Sequence, residues 1–304
     1  MVTSYLSQDQ KMIDAFKNGQ DIYSTIAALA FHKTYEECLE FYLDEQGNKT
    51  DKTNKLGKER RTQAKSIVLG ILYGRQIPSI AEQLDVTTQE AQNIYDSVLK
   101  AFPQLAEFIT DSQNMARETG YVTTAWGRRR HLPDMQLKPY EYKYDGNVVN
   151  FDPLAFGDEV VTEVPESLQR EFNNKFKRCR GWKQRNELKE QLREYEGIIV
   201  KDNTGYIAEA ERQCVNSRVQ GSAADMAKIA MIVIDNDEKL KELDFHLLIQ
   251  VHDEVIGECP EENMKECAER LSYLMRTAPT DKIDLPFKCD TEITRNWYGE
   301  PIEI

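Results

Sequence analysis

No run in this sequence approaches the roughly 20 apolar residues that span a bilayer, and the opening Met-Val-Thr-Ser-Tyr-Leu-Ser-Gln has neither the basic nor the apolar region of a signal peptide. A membrane partner is therefore not expected, and the cytoplasm is the expected location. The six cysteines, Cys38, Cys179, Cys214, Cys259, Cys267 and Cys289, never fall at CxxC spacing. That pattern supports neither a zinc site nor a disulfide framework and predicts reduced thiols. Positive charge is in deficit: 39 Lys and Arg stand against 52 Asp and Glu, for a net charge of −13. Indiscriminate coating of nucleic acid is thereby disfavoured. Internal repeats are absent as well.

What is present is enough apolar content, 40% of 304 residues, to bury the core of one large domain or two modest ones. The cations gather at residues 55–65, 128–131 and 175–185. Each cluster taken alone reads as a solvated face, but clustered cations can neutralise phosphates while the rest of the surface stays acidic.

The patterning along the chain predicts mostly helix. Residues 8–31 read as two helices broken at Asn18-Gly19, with Asp21 as N-cap of the second, and a third short helix is expected over 35–42. Residues 44–57 read as an exposed loop. Helix resumes over 58–73, where Gly74 stops it, and again from Thr87 to about Glu118 with a break at Pro103. Residues 121–125 alternate as a strand. Residues 135–205 change character, with tyrosines, an acidic loop and a charged helical stretch over 165–196 broken near Gly181, and they read as an insertion. Apolar helical spacing returns over 208–234. Residues 247–251 and 255–258 form a hairpin pattern, followed by a helix over 261–275 and a last strand over 287–293.

Three constellations carry chemistry. Arg61, Lys65, Leu69 and Tyr73 recur every four residues and form one inclined stripe on a helix, cationic in its first half and apolar in its second. Two cations followed by a flat apolar surface suit a nucleoside triphosphate, although the same four residues also describe an amphipathic helix with two exposed cations. Gly70, inside that helix, costs about 1 kcal/mol against alanine, so a close approach by another backbone, nucleic acid or ligand is expected there. Arg212, Asn216 and Gln220 repeat the spacing of four ahead of Gly221-Ser222-Ala223-Ala224-Asp225, which suits contacts to base edges or sugar, or else a solvated helix face. His252, Asp253 and Glu254 sit at the hairpin turn. Adjacent carboxylates held between buried strands suit a metal-binding edge, and an ordinary polar turn is the alternative.

Taken in order, these segments resemble the family A DNA polymerases of the bacterial polymerase I and phage type. Arg61 to Gly74 is similar to the fingers-helix motif B, Arg212 to Asp225 to the palm helix that contacts primer and template, and Gln250-Val251-His252-Asp253-Glu254 to motif C. Gly127-Arg128-Arg129 with Leu132-Pro133-Asp134 matches a segment between them. The resemblance covers most of the chain outside 44–57 and 135–205. It implies an α+β, mainly helical fold, with fingers helices and a partial palm carrying a small antiparallel sheet, divided as 1–134, 135–205 and 206–304.

It also implies template-directed nucleotidyl transfer with two Mg2+ ions, primer-template DNA and deoxynucleoside triphosphates. Asp253 would bind metal, and Glu254 would support that site. His252 would sit near the primer terminus, while Arg212, Asn216 and Gln220 would touch DNA. Arg61 and Lys65 would hold the triphosphate, Lys65 being also the candidate proton donor, and Tyr73 would close over the nascent pair.

Three departures qualify the match. Leu69 stands where the family typically has Phe or Tyr, which leaves sugar discrimination open. Tyr23 stands where it often has histidine. Leu6-Ser7-Gln8-Asp9 resembles the stretch just after motif A, so the motif A aspartate is expected before Met1, on a complementary N-terminal polypeptide or in a missing portion. The alternatives are a catalytically inactive DNA-binding or assembly subunit whose 135–205 segment binds a partner and, more distantly, a single-subunit RNA polymerase.

Overall fold

The structure is a computed structural model that describes residues 1–44, 46–145 and 163–302. The described residues divide into two compact units, one formed by 1–132 with 211–304 and the other by 133–210.

The first unit is built on helices whose ends the sequence marks clearly. After α1 (Val2–Ser7), Asp9 caps α2 (Gln10–Lys17) and Asp21 caps α3 (Ile22–Phe31), each by accepting a backbone N–H in the first turn. Asn54 does the same for α4 (Lys55–Leu72). Then come α5 (Ile77–Leu84), α6 (Thr88–Ala101) and α7 (Pro103–Thr119). Thr87 and Glu90 form a reciprocal capping box at the start of α6, and Pro103 begins α7, where its missing N–H costs nothing. Ile26, Ala64, Ile67, Ile80, Val98, Phe102 and Leu105 pack as the buried core of this bundle.

Two expectations fail between α3 and α4. The short helix over 35–42 is a single 3-10 turn at Glu36–Cys38, and the loop over 44–57 contains a strand. Phe41–Leu43 (β1) and Lys49–Thr53 (β2) pair antiparallel around a turn in which Asp44 accepts from the backbone N–H groups of Gln46 and Asn48. The polar strand Lys49–Thr53 pairs with Phe41–Leu43, Thr53 opposite Phe41 and Lys49 opposite Leu43, and its lack of apolar residues hides it from a pattern of apolar alternation.

The next hairpin joins β3 (Tyr121–Thr123) to β4 (Arg129–His131), and in the second unit β5 (Tyr140–Tyr144) pairs antiparallel with β6 (Ile198–Asp202). The latter pair closes over α8 (Glu166–Arg178) and α9 (Gly181–Glu196). That unit has its own core of Tyr140, Tyr142, Val164, Phe172, Phe176, Leu192 and Ile198, with Tyr140 stacked on Phe176 at 4.3 Å between ring centroids. The expected acidic loop of this segment lies largely outside the described residues.

A 33-residue helix, α10 (Thr204–Asn236), leads into α11 (Glu238–Glu242), the hairpin of β7 (His246–Val251) and β8 (Glu254–Glu258), and α12 (Met264–Thr277). The strand expected over 287–293 is not formed, because no neighbouring segment among the described residues offers it a ladder; Ile293 accepts a single backbone bond from Ile302. The class is α+β and mainly helical, with four separate two-stranded antiparallel sheets among the described residues. No helix among them is long and apolar enough to cross a membrane.

Candidate functional site

The stripe on α4 forms as its spacing requires, but its two cations have different fates. Arg61 is engaged: its Nε and Nη2 both donate to the Asp21 carboxylate at 2.9 Å, and Glu40 lies 3.9 Å away. Lys65 is exposed and has no hydrogen bond or ion pair among the described residues. Both cations sit 5.7 Å from the centroid of the Tyr23 ring, so α3 supplies an aromatic floor to the cationic half of the stripe. Leu69 is half-buried and Tyr73 is exposed at the C-terminal end.

Burial alone would raise the Asp21 pKa, but the hydrogen bonds from Arg61 and Ser24, with the Arg61 charge, hold it below the usual aspartate value. A carboxyl with a depressed folded pKa contributes stability above its unfolded value and loses it as pH falls through the folded one. Asp21→Asn preserves an N-cap yet removes the ion pair. It is therefore expected to cost about 1 kcal/mol at neutral pH. The gap to the parent protein should close on acidification below about pH 4, as read by denaturant midpoints across pH.

Two glycines fix how α4 meets its surroundings. A Cβ at Gly70 would come within 2.9 Å of Ile80 Cδ1, so the close approach expected there is made by a side chain of α5. Gly74 has φ +63°, and a Cβ there would lie 2.5 to 2.9 Å from Cγ, Cβ and Cα of Arg212. Only glycine both adopts that conformation readily and admits the α10 backbone. At this junction Gln220 Nε2 donates to the Tyr73 hydroxyl at 3.0 Å, joining the end of the α4 stripe to the Arg212, Asn216 and Gln220 row of α10.

The same length of α10 holds the β3–β4 hairpin. Arg128 donates to Asp225 at 2.7 Å and to the Gly221 carbonyl at 2.9 Å, and the Ala125 N–H donates to Ser222 Oγ at 2.9 Å. Arg218 donates to Ser112 Oγ at 2.8 Å and lies 4.6 Å from the Phe108 ring centroid. In the sequence Arg128 belongs to a basic cluster and Asp225 closes the Gly221–Asp225 run, and nothing local pairs them. Their separation of 97 positions gives no local signal.

At the β7–β8 turn, His252 takes a left-handed backbone conformation at φ +54°, uncommon for a residue with a side chain, and Gln250 donates through its amide to the His252 carbonyl. His252, Asp253 and Glu254 are all exposed, and neither carboxylate has an ion-pair partner among the described residues. The strands are less buried than expected: Leu248 is 53% and Ile249 40% exposed, because the hairpin is a two-stranded sheet and no described residue covers those side chains.

The exposed carboxylate pair fits one edge of a divalent-cation site by donor chemistry. It does not make a complete one, since no group of three or more His, Cys, Asp or Glu side chains suited to hold a metal occurs among the described residues.

The model of the family described as DNA polymerase family A matches residues 1–149 and 167–299. The chain belongs to DNA polymerase family A. Among curated relatives, DNA polymerase I of Borreliella burgdorferi is 27% identical across 97% of this chain and 23% of its own length. DNA polymerase I of Bacillus subtilis is 27% identical across 98% of this chain and 24% of its own length. The chain thus spans about a quarter of these relatives. A solved structure described as the POL domain of Pol1 from M. smegmatis in complex with DNA primer-template and dNTP has the same fold, with a TM-score of 0.61 and 24% identity. The match covers 94% of this chain and 35% of that one. The family match runs through residues 44–57 and is interrupted only at 150–166.

Proposed function

We propose that this chain is the fingers and part of the palm of a template-directed DNA polymerase, organised as 1–134, 135–205 and 206–304, whose activity needs a further catalytic carboxylate from a separate or missing N-terminal part. The observation that carries this reading is the joining of the α4 stripe to α10 through Tyr73 and Gln220, in a chain of this family. It gives the nucleotide-facing and DNA-facing residues one continuous surface.

On that surface Lys65, without an acidic partner among the described residues, holds the triphosphate and gives a proton to the leaving group. Arg61, neutralised by Asp21, positions the Tyr23 ring and contributes less. Leu69 and Tyr73 form the apolar bed for the incoming base, with Leu69 presenting an aliphatic rather than aromatic side chain to the sugar. Arg212, Asn216 and Gln220 contact the primer-template, and His252 stands near the primer terminus. Asp253, supported by Glu254, would be this chain's metal-holding residue, and Mg2+ ions, when bound, activate the primer 3′ hydroxyl and steady the pyrophosphate.

The need for that further part rests on two features. The turn offers two adjacent carboxylates on one edge, and a divalent-cation site built on them would need oxygen ligands from another side as well. The uncovered Leu248 and Ile249 also suit a hairpin completed by further strands, since an isolated two-stranded sheet is marginal in water. Primer extension with Mg2+ tests the reading. The purified chain is expected to extend poorly alone and robustly when mixed with a polypeptide carrying the thumb and motif A of a family A polymerase. Robust extension by the chain alone would remove the need for a partner. Absence of extension in every mixture, with DNA still bound, would favour the inactive DNA-binding subunit.

A further inference from the structure

Outside the surface just described, the largest unexplained concentration of charge is in the second unit. Residues 172–186 contain six cations, Lys175, Lys177, Arg178, Arg180, Lys183 and Arg185, and no acidic residue, in a chain with a net charge of −13. The fold places them around the turn between α8 and α9 and uses only the outer two. Lys175 pairs with Glu171 at 2.8 Å and lies over the Phe172 ring, and Arg185 donates to Thr204 Oγ1 at 3.3 Å. Lys177, Arg178, Arg180 and Lys183 are exposed and make no side-chain hydrogen bond or ion pair among the described residues. Between them stands Trp182, 77% exposed, far outside the core that Phe172 and Phe176 form beneath.

Helix stability does not account for this arrangement. Cations at the end of α8 suit its dipole, but Arg180 and Lys183 flank the start of α9, which has no acidic residue in its first turn and no side-chain cap. An acidic or capping residue would stabilise that end, whereas positive side chains add to its positive potential. The surplus charge and the bare indole therefore point outward to a ligand. Four cations demand a polyanion, and a flat exposed aromatic ring among them fits a base with an accessible face rather than a carboxylate side chain.

We propose that the α8–α9 turn is a single-stranded nucleic-acid contact, in which Lys177, Arg178, Arg180 and Lys183 neutralise successive phosphates and Trp182 stacks on an unpaired base. The contact is independent of the catalytic reading, because it draws on none of the α4, α10 or hairpin-turn residues.

The test is a fluorescence titration of the full chain with an oligo-dT strand across a salt series. Binding is expected to quench tryptophan emission, and Trp182→Phe should remove most of that quench while retaining affinity. Trp182→Ala should weaken binding about tenfold, the loss expected for one stacked base. Replacing the four cations together with alanine should flatten the slope of log affinity against log salt by roughly 3, at about 0.7 per phosphate contact on a single strand. Circular dichroism checks that these surface variants fold. An unchanged salt slope in the fourfold variant, or unchanged affinity in Trp182→Ala, would overturn the proposal. So would polyglutamate competing as well as oligo-dT, which would mark the turn as a site for an acidic protein. Primer extension at saturating primer-template should be unaffected by these substitutions, so failure of this contact and failure of the polymerase reading are separable.

Discussion

Asp253→Asn is expected to abolish primer extension by the reconstituted polymerase while leaving primer-template affinity nearly intact. Asp253 occupies the apex of a two-residue turn whose shape is set by the backbone, with His252 in a left-handed conformation and Gln250 bonded across to its carbonyl. An amide keeps the side-chain shape and the turn but removes the negative charge that a divalent ion requires. Loss of several kcal/mol of transition-state charge stabilisation corresponds to a fall of roughly a thousandfold in rate. Single-turnover extension with saturating nucleotide measures it. A loss of less than tenfold would show that Asp253 does not hold metal. A matching loss of DNA affinity would assign it to the duplex instead.

The second large effect is expected at Lys65. Both α4 cations are equivalent in sequence, four residues apart on one stripe, but only Lys65 has no carboxylate partner among the described residues. Lys65→Ala should lower kcat/KM for the incoming nucleotide by roughly a hundredfold or more, the scale of losing a charge-stabilising donor in phosphoryl transfer. Its DNA affinity should remain unchanged. Arg61→Ala should cost less in nucleotide use and more in stability, because it leaves Asp21 half-buried without its counter-charge. The pair of variants, measured for nucleotide kinetics and for denaturant midpoint, separates a phosphate-binding cation from a positioning one. Equal kinetic losses in both would show that Arg61 leaves Asp21 when nucleotide arrives.

Where a local rule governs, the fold was legible. Asp21 and Thr87 cap the helices they precede, Gly74 ends α4, and Pro103 divides α6 from α7, because each acts through atoms within a turn of its own position. The β5–β6 pair was not legible: its partners lie 54 to 62 positions apart, with α8 and α9 between them, and neither strand alternates strongly enough to be recognised alone. The segment over 287–293 failed in the opposite direction. Its residues have the composition of a strand, but a strand exists only where a partner supplies the ladder.

The amino-acid sequence by itself determined the family, the helical register that puts Arg61, Lys65, Leu69 and Tyr73 on one stripe, and the hairpin that presents Asp253 and Glu254. These follow from periodicity and motif order, which are properties of short separations along the chain. Tertiary structure alone decided that Asp21 would claim Arg61 and leave Lys65 available, that Gln220 would meet Tyr73 across 147 positions, and that Arg128 would reach Asp225. Those pairings depend on which helices pack together. Packing is settled by the burial of Ile67, Ile80, Phe102 and their neighbours over the whole core, a sum that no local pattern records.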